Sequence, residues 1–167
     1  TDGADASSQS YQLSADWADG VAADAKGRVT TFNTANLPNP AIDFTQALTF
    51  DLKVTEGDFV IVGILARETG TTAAIGEDGG VSGDIEVVQL GDGTTSFDTT
   101  SHGDWQKVTI DIPNATYGAF TGDGVLDGTK GTIDALYIQK GSSDVVTWLI
   151  DNVAQEEATA VNDWAIY

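Results

Sequence analysis

Cysteine is absent from the 167-residue chain, which removes disulfides, cysteine-type zinc sites and thiol catalysis together. Proline is scarce at three residues and glycine stands at 19, a balance that argues against both disorder and a collagen-like repeat. No run approaches the roughly 18 apolar residues of a membrane span. The single histidine, His102, has no basic cluster near it, which leaves lyase chemistry on a uronate unsupported, and no G-x-S-x-G elbow exists to place it in a Ser-His-Asp triad. Positive charge is the scarcest commodity of all. Seven Lys plus Arg face 26 Asp plus Glu, a formal net charge of −19. The seven (Lys26, Arg28, Lys53, Arg67, Lys107, Lys130, Lys140) are scattered without a run, so nucleic acid is a poor partner. The same repulsion disfavours anionic membranes and sulfated or uronate polymers unless a bound metal bridges the contact. A neutral partner is the expectation.

What is present is length and pattern. A chain of 167 residues fits one domain with a real hydrophobic core. The opening "TDGADASSQS" reads as linker, giving a linker-like stretch over 1–9 and one domain over 10–167. The chain starts at Thr1 without methionine and shows no basic-then-apolar leader, which points to a processed or excised piece of a larger protein. An acidic, Thr-, Asp- and Gly-rich surface is what a secreted monomer in salty water carries, so a secreted protein of marine or halophilic origin is expected.

Strand-like segments bounded by Gly, Asp, Asn or Pro recur along the sequence. They are "SYQLSADW" (10–17), "GRVTTFNT" (27–34), "ALTFDLKV" (47–54), "GDFVIVGILARE" (57–68), "GDIEVVQLGDG" (83–93), "GDWQKVTIDIP" (103–113), "GTIDALYIQKG" (131–141) and "DVVTWLIDNV" (144–153). In "ALTFDLKV" the residues Leu48, Phe50, Leu52 and Val54 alternate with Thr49, Asp51 and Lys53, the pattern of a half-buried strand. The last two segments read as a hairpin across Gly141, Ser142 and Ser143, and "NDWAIY" offers one more short strand. About eight strands with no helical period predict an all-β, two-sheet antiparallel sandwich or jelly roll. The stretches 70–83 and 114–131 are the long loops, where such scaffolds keep binding chemistry.

Catalysis finds little to stand on. Glu156 and Glu157 are adjacent and on a strand would face opposite ways, so they are not a glycosidase pair. Metal binding fares better. Asp151 is a carboxylate planted in an apolar run near the end of the chain, and it is expected either to cap the strand by accepting backbone N–H groups or to bind a cation. Calcium takes six to eight oxygens, and a last strand lying beside the first would bring Asp16 and Asp19 toward Asp151. "TGDGVLDGTKG" fails as an EF-hand loop, because Ala119 and Thr121 stand where acids belong and Lys130 where the final Glu belongs. Sugars stack on exposed rings ringed by hydrogen-bonding groups. The candidates are Tyr137 and Gln139 on one face of their strand, Trp148 on the neighbouring strand, Arg67 and Gln89 from central strands, and Trp17 and Tyr117 from the rim. Trp105 reads as a structural plug at the start of its strand.

Taken in order, "ALTFDLKV", "GDWQKVTIDI", "IDALYIQKG" and "TWLIDNV" resemble the second half of the calcium-containing β-sandwich carbohydrate-binding modules of the galactose-binding-like superfamily, those related to families 4, 16 and 22. The likeness spans roughly residues 47–153, and its most specific parts are the Trp before an alternating strand and the terminal aromatic-x-Ile-Asp-Asn-Val. It implies a structural calcium ligand at Asp151. The usual N-terminal Asn-Gly-x-Phe-Glu signature is missing, which weakens the transfer of a further ligand to Asp16 or Asp19. It also implies a broad carbohydrate-binding role and leaves the sugar open. The leading expectation is a non-catalytic module that tethers a polysaccharide-degrading enzyme to a neutral glycan, a β-glucan such as laminarin or a xylan. The alternative is a structural or adhesion domain of a secreted surface protein, and a small glycan-cleaving enzyme is the third reading.

Overall fold

In the computed structural model the alternating segments become strands, and the structure describes residues 3–4, 9–30, 39–68, 85–90, 102–156 and 161–163. Eleven strands run among the described residues: β1 (Tyr11–Asp16), β2 (Lys26–Val29), β3 (Ala41–Asp43), β4 (Ala47–Glu56), β5 (Phe59–Arg67), β6 (Ile85–Gln89), β7 (Gln106–Ile110), β8 (Tyr117–Ala119), β9 (Lys130–Lys140), β10 (Val145–Glu156) and β11 (Val161–Asp163). One 3-10 turn, Ile112–Asn114, forms around Pro113, whose missing N–H ends the β7 ladder. The stretch 70–83 expected as a binding loop lies outside the described residues.

Two antiparallel sheets pack face to face, the all-β sandwich that the alternation predicts. The first has the order β1-β10-β4-β7, with β11 against the far end of β10. The second has the order β2-β9-β5-β6-β8, with β3 against the start of β9. Period-two alternation turns Leu48, Phe50, Leu52 and Val54 of β4 inward together with Val108 and Ile110 of β7 and Val146, Trp148 and Ile150 of β10. They meet Phe59, Ile61, Ile64 and Ala66 of β5, Val88 of β6 and Ile138 of β9. Each such side chain contributes about 1.5–3 kcal/mol on burial, so this layer is the dominant stabilising feature.

The expected hairpin between the last two long strands does not form. β9 pairs with β2, β3 and β5, whereas β10 pairs with β1, β4 and β11, so residues 141–144 carry the chain from one sheet to the other. The reason is Asp58, which follows β4. Its Oδ1 accepts the Ser143 hydroxyl at 2.6 Å, the Ser142 hydroxyl at 2.8 Å and the Ser143 N–H at 2.9 Å, and its Oδ2 accepts the Ser142 N–H at 2.8 Å. Lys140 and Asp144 close the crossing with an ion pair at 3.0 Å.

The Ser143 hydroxyl above all, then the Ser142 N–H, holds the Asp58 carboxyl down at about 2 from its ordinary 3.8. A depressed carboxyl stabilises the fold above its unfolded value and stops doing so as pH falls from about 3.8 through about 2. Asp58 is only half-buried, so solvent screening cuts the contribution to about 1 kcal/mol. We therefore expect Asp58→Asn to be less stable than the wild type by about that amount at pH 6. The gap should narrow as urea melts are repeated down to pH 2.5.

The chain after β8 is held by two buried carboxylates. Glu86 accepts the N–H groups of Asp123 and Gly124, each at 2.8 Å, and Glu68 accepts the N–H of Asp127. The N–H groups of Phe120, Thr121 and Gly122 all point to the Ile85 carbonyl at 3.1–3.2 Å. The acidic "TGDGVLDGTKG" loop is thus a braced turn, and the bracing carries Phe120 over the outer face of the six-stranded sheet.

Candidate functional site

The register of the six-stranded sheet sets a row of residues side by side on its outer face. Arg28 lies opposite Tyr137, Tyr137 opposite Gly63, and Gly63 opposite Gln89, one residue from each of β2, β9, β5 and β6. Directly paired residues share a face, so Arg28, Tyr137 and Gln89 all point outward. The neighbouring row is Lys26, Gln139 and Val60. Gly63 leaves a gap between Tyr137 and Gln89, and it is glycine because a Cβ there would overlap the Val88 carbonyl oxygen. The floor beside the gap is a second apolar cluster of Leu65, Ile85, Val87 and Ala135, with Val62 and Tyr137 packed on it.

Phe120 stands on this floor with its ring 5.8 Å from that of Tyr137 and at 79° to it, an edge-to-face pair forming a corner of two aromatic walls. Phe120 is 37% exposed, one of four large apolar side chains that open to solvent among the described residues. The Arg28 guanidinium lies 5.4 Å from the Phe120 ring centre and the Lys26 ammonium 6.0 Å from that of Tyr137. Arg67, on the same face, holds Asp134 at 3.0 Å, and Arg28 touches the other oxygen of Asp134 at 3.4 Å.

Four of the sequence candidates therefore converge: Tyr137, Gln139, Arg67 and Gln89. Three do not. Trp148 belongs to the other sheet and points into the core, with no accessible surface and its ring 4.8 Å from Phe59, so it packs and presents nothing to a ligand. Tyr117 lies on β8 opposite Val88 and faces inward, where its hydroxyl donates to the Ile112 carbonyl at 2.6 Å. Burial and then the nearby Asp111 charge push its phenol up. Trp17 follows β1 and packs against the core over Gly27, where an added Cβ would come within 3.0 Å of the indole. It closes the sandwich end rather than rimming a site. Trp105, read as a plug at the start of its strand, is half-buried directly before β7 and beneath Lys53, whose ammonium sits 5.9 Å from its ring.

The residues that the pattern missed are Phe120, Lys26 and Arg28. Phe120 stands alone in a Gly- and Asp-rich turn with no alternation to mark its face. Lys26 and Arg28 do alternate with Gly27 and Val29, a signal too short to read without the partner strand.

The acids do not assemble as expected either. β1 does pair with β10, but antiparallel, with Asp16 opposite Val145 and Tyr11 opposite Ile150. Asp16 is then six positions along β10 from Asp151, roughly 20 Å at the rise of a strand. Asp19 lies beyond it, past Trp17, whose N–H is tied to the Asp144 carbonyl. Asp16 and Asp19 cannot share an ion with Asp151. Asp151 accepts the N–H groups of Ala4 and Asn152, both at 2.8 Å, and stands opposite Asp51, which accepts the Asn152 amide at 2.8 Å. Among the described residues no group of three or more His, Cys, Asp or Glu is placed to hold a metal ion. His102 lies at the edge of the other sheet, its Nε2–H donating to the Gly57 carbonyl at 2.7 Å. No protein-family model, curated protein or solved structure matches the chain.

Proposed function

We propose that this chain is a non-catalytic module that binds polysaccharide on the outer face of its six-stranded sheet. The observation that carries the reading is the corner formed by the exposed Phe120 and the half-buried Tyr137, bordered by Arg28, Lys26, Gln139 and Gln89. A sugar ring lays its C–H face on one wall while its hydroxyls meet the amide and guanidinium groups. Nothing in that arrangement attacks a bond. Its use is to hold a chain in place, and an enzyme joined to it gains local substrate concentration.

Affinity gel electrophoresis against laminarin, xylan and other polysaccharides tests the reading, with retardation in at least one gel expected. Migration unchanged in all of them removes it and leaves the structural or adhesion domain standing. The calcium ion that the resemblance implies is proposed separately, at Asp151 with Asp51 beside it in place of Asp16 and Asp19. Like charges directly opposite across two strands are destabilising, and an ion would relieve them. On that proposal EGTA lowers the melting temperature of the wild type and leaves that of Asp151→Asn unchanged. A wild-type melt indifferent to EGTA rejects it.

A further inference from the structure

The scarcest side chains of the protein are concentrated where the aromatic corner is. Of seven Lys and Arg in the chain, three, Lys26, Arg28 and Arg67, face outward around this corner. The carboxylate that pairs with them among the described residues is Asp134, shared between Arg28 and Arg67. Lys26 makes no ion pair among the described residues. Among the described residues the patch thus holds more cations than carboxylates paired with them, on a molecule whose formal charge is −19.

The two arginines are not equivalent. Arg67, with 18% of its side chain exposed, makes the short contact and neutralises Asp134. Arg28, with 49% exposed, makes the longer contact at 3.4 Å and, among the described residues, has no other ion pair beside Phe120. An arginine so placed matches a planar or tetrahedral oxyanion in two-pronged fashion, and Lys26, two positions along the same strand, supplies a second point charge. We infer that the polysaccharide held at the Phe120–Tyr137 corner carries an anionic substituent, a uronate carboxylate or a sulfate ester, received by Arg28 and Lys26.

This rests on the carbohydrate reading and departs from the neutral partner that the net charge predicts. Net charge governs approach from a distance, and at physiological salt that field fades over about 8 Å. What a bound group meets is the handful of charges within that radius. The local surplus decides which substituent is retained, and the remote acids decide only how fast it arrives.

The test uses matched polymers that differ in charge alone: polygalacturonate against its methyl ester, and dextran sulfate against dextran, by isothermal titration at 0.15 M salt. The wild type should bind at least one charged polymer ten-fold or more tightly than its neutral counterpart. Preference for polygalacturonate identifies the carboxylate as the source, and preference for dextran sulfate identifies the ester. The double variant Lys26→Gln, Arg28→Gln should lose that preference while its melting curve stays that of the wild type, since both side chains are exposed. Equal or weaker binding of the charged forms overturns the inference, as does an undiminished preference in the double variant. Binding to neutral polymers alone leaves the carbohydrate reading intact and removes the anionic one, whereas no binding to any polysaccharide removes both.

Discussion

Trp148→Ala should destabilise the sandwich by about 3–5 kcal/mol, the largest stability effect expected of any single truncation here. The indole is fully buried between the sheets and tilted at 39° to Phe59, so its removal leaves a cavity that two rigid β-layers cannot collapse. For a domain with a typical margin of about 5–15 kcal/mol, that loss brings the urea midpoint down by about a fifth or more. Trp148→Phe separates packing from polarity. The indole N–H has no hydrogen-bond partner among the described residues, so phenylalanine removes a buried unsatisfied donor while giving up part of the ring volume. Its cost should stay below about 2 kcal/mol. Parity of the alanine variant with the wild type in denaturant would mean that Trp148 is not in the core.

The second large effect concerns affinity. Tyr137→Ala, which strips one wall of the aromatic corner, should weaken binding to the retained polysaccharide about 30-fold, equivalent to about 2 kcal/mol for an interfacial aromatic anchor. Phe120→Ala should do the same. Phe120 sits at the end of β8 on a loop held by backbone bonds to Ile85 and Glu86, so its truncation leaves that bracing in place. Trp105→Ala, which removes the half-buried ring from the other sheet, should leave affinity unchanged. The reverse pattern, loss with Trp105→Ala and indifference at Tyr137 and Phe120, would move the site to the five-stranded sheet.

The parts of this fold that could be read from sequence are those where alternation is long and one face is clearly polar. β4 and β7 announce themselves because Leu48, Phe50, Leu52 and Val54, then Val108 and Ile110, are interleaved with Thr, Asp and Lys. β10 is harder. Trp148, Leu149 and Ile150 are apolar in succession, so the pattern does not say which of them faces inward, and the ring that looked like a ligand platform belongs to the core. The crossing at Gly141, Ser142 and Ser143 has the composition of a hairpin turn, and the residue that makes it something else, Asp58, is 84 positions from Ser142 in sequence. β3 and β8, three residues each, are too short to show any period. The ligand set drawn around Asp151 fails for a related reason: adjacency of the first and last strands was legible, but direction and register were not, and antiparallel pairing sends Asp16 to the opposite end.

Half of the candidate face was likewise legible. Tyr137 and Gln139 share an outward face by simple alternation on one strand. That Arg67 and Gln89 join them follows only once β5, β6 and β9 are neighbours, and the Gly63 gap and the Phe120 wall exist only in three dimensions.

The measurement that bears most directly on polysaccharide binding at this face is an NMR titration of backbone and side-chain amides with the polysaccharide that retards the protein in affinity gels. Shifts should cluster at Lys26, Arg28, Gln89, Phe120, Tyr137 and Gln139, with the Trp105 indole and the β4–β7 amides unmoved. Shifts centred on Trp105 and the five-stranded sheet, or no shifts at saturating polysaccharide, would contradict the account.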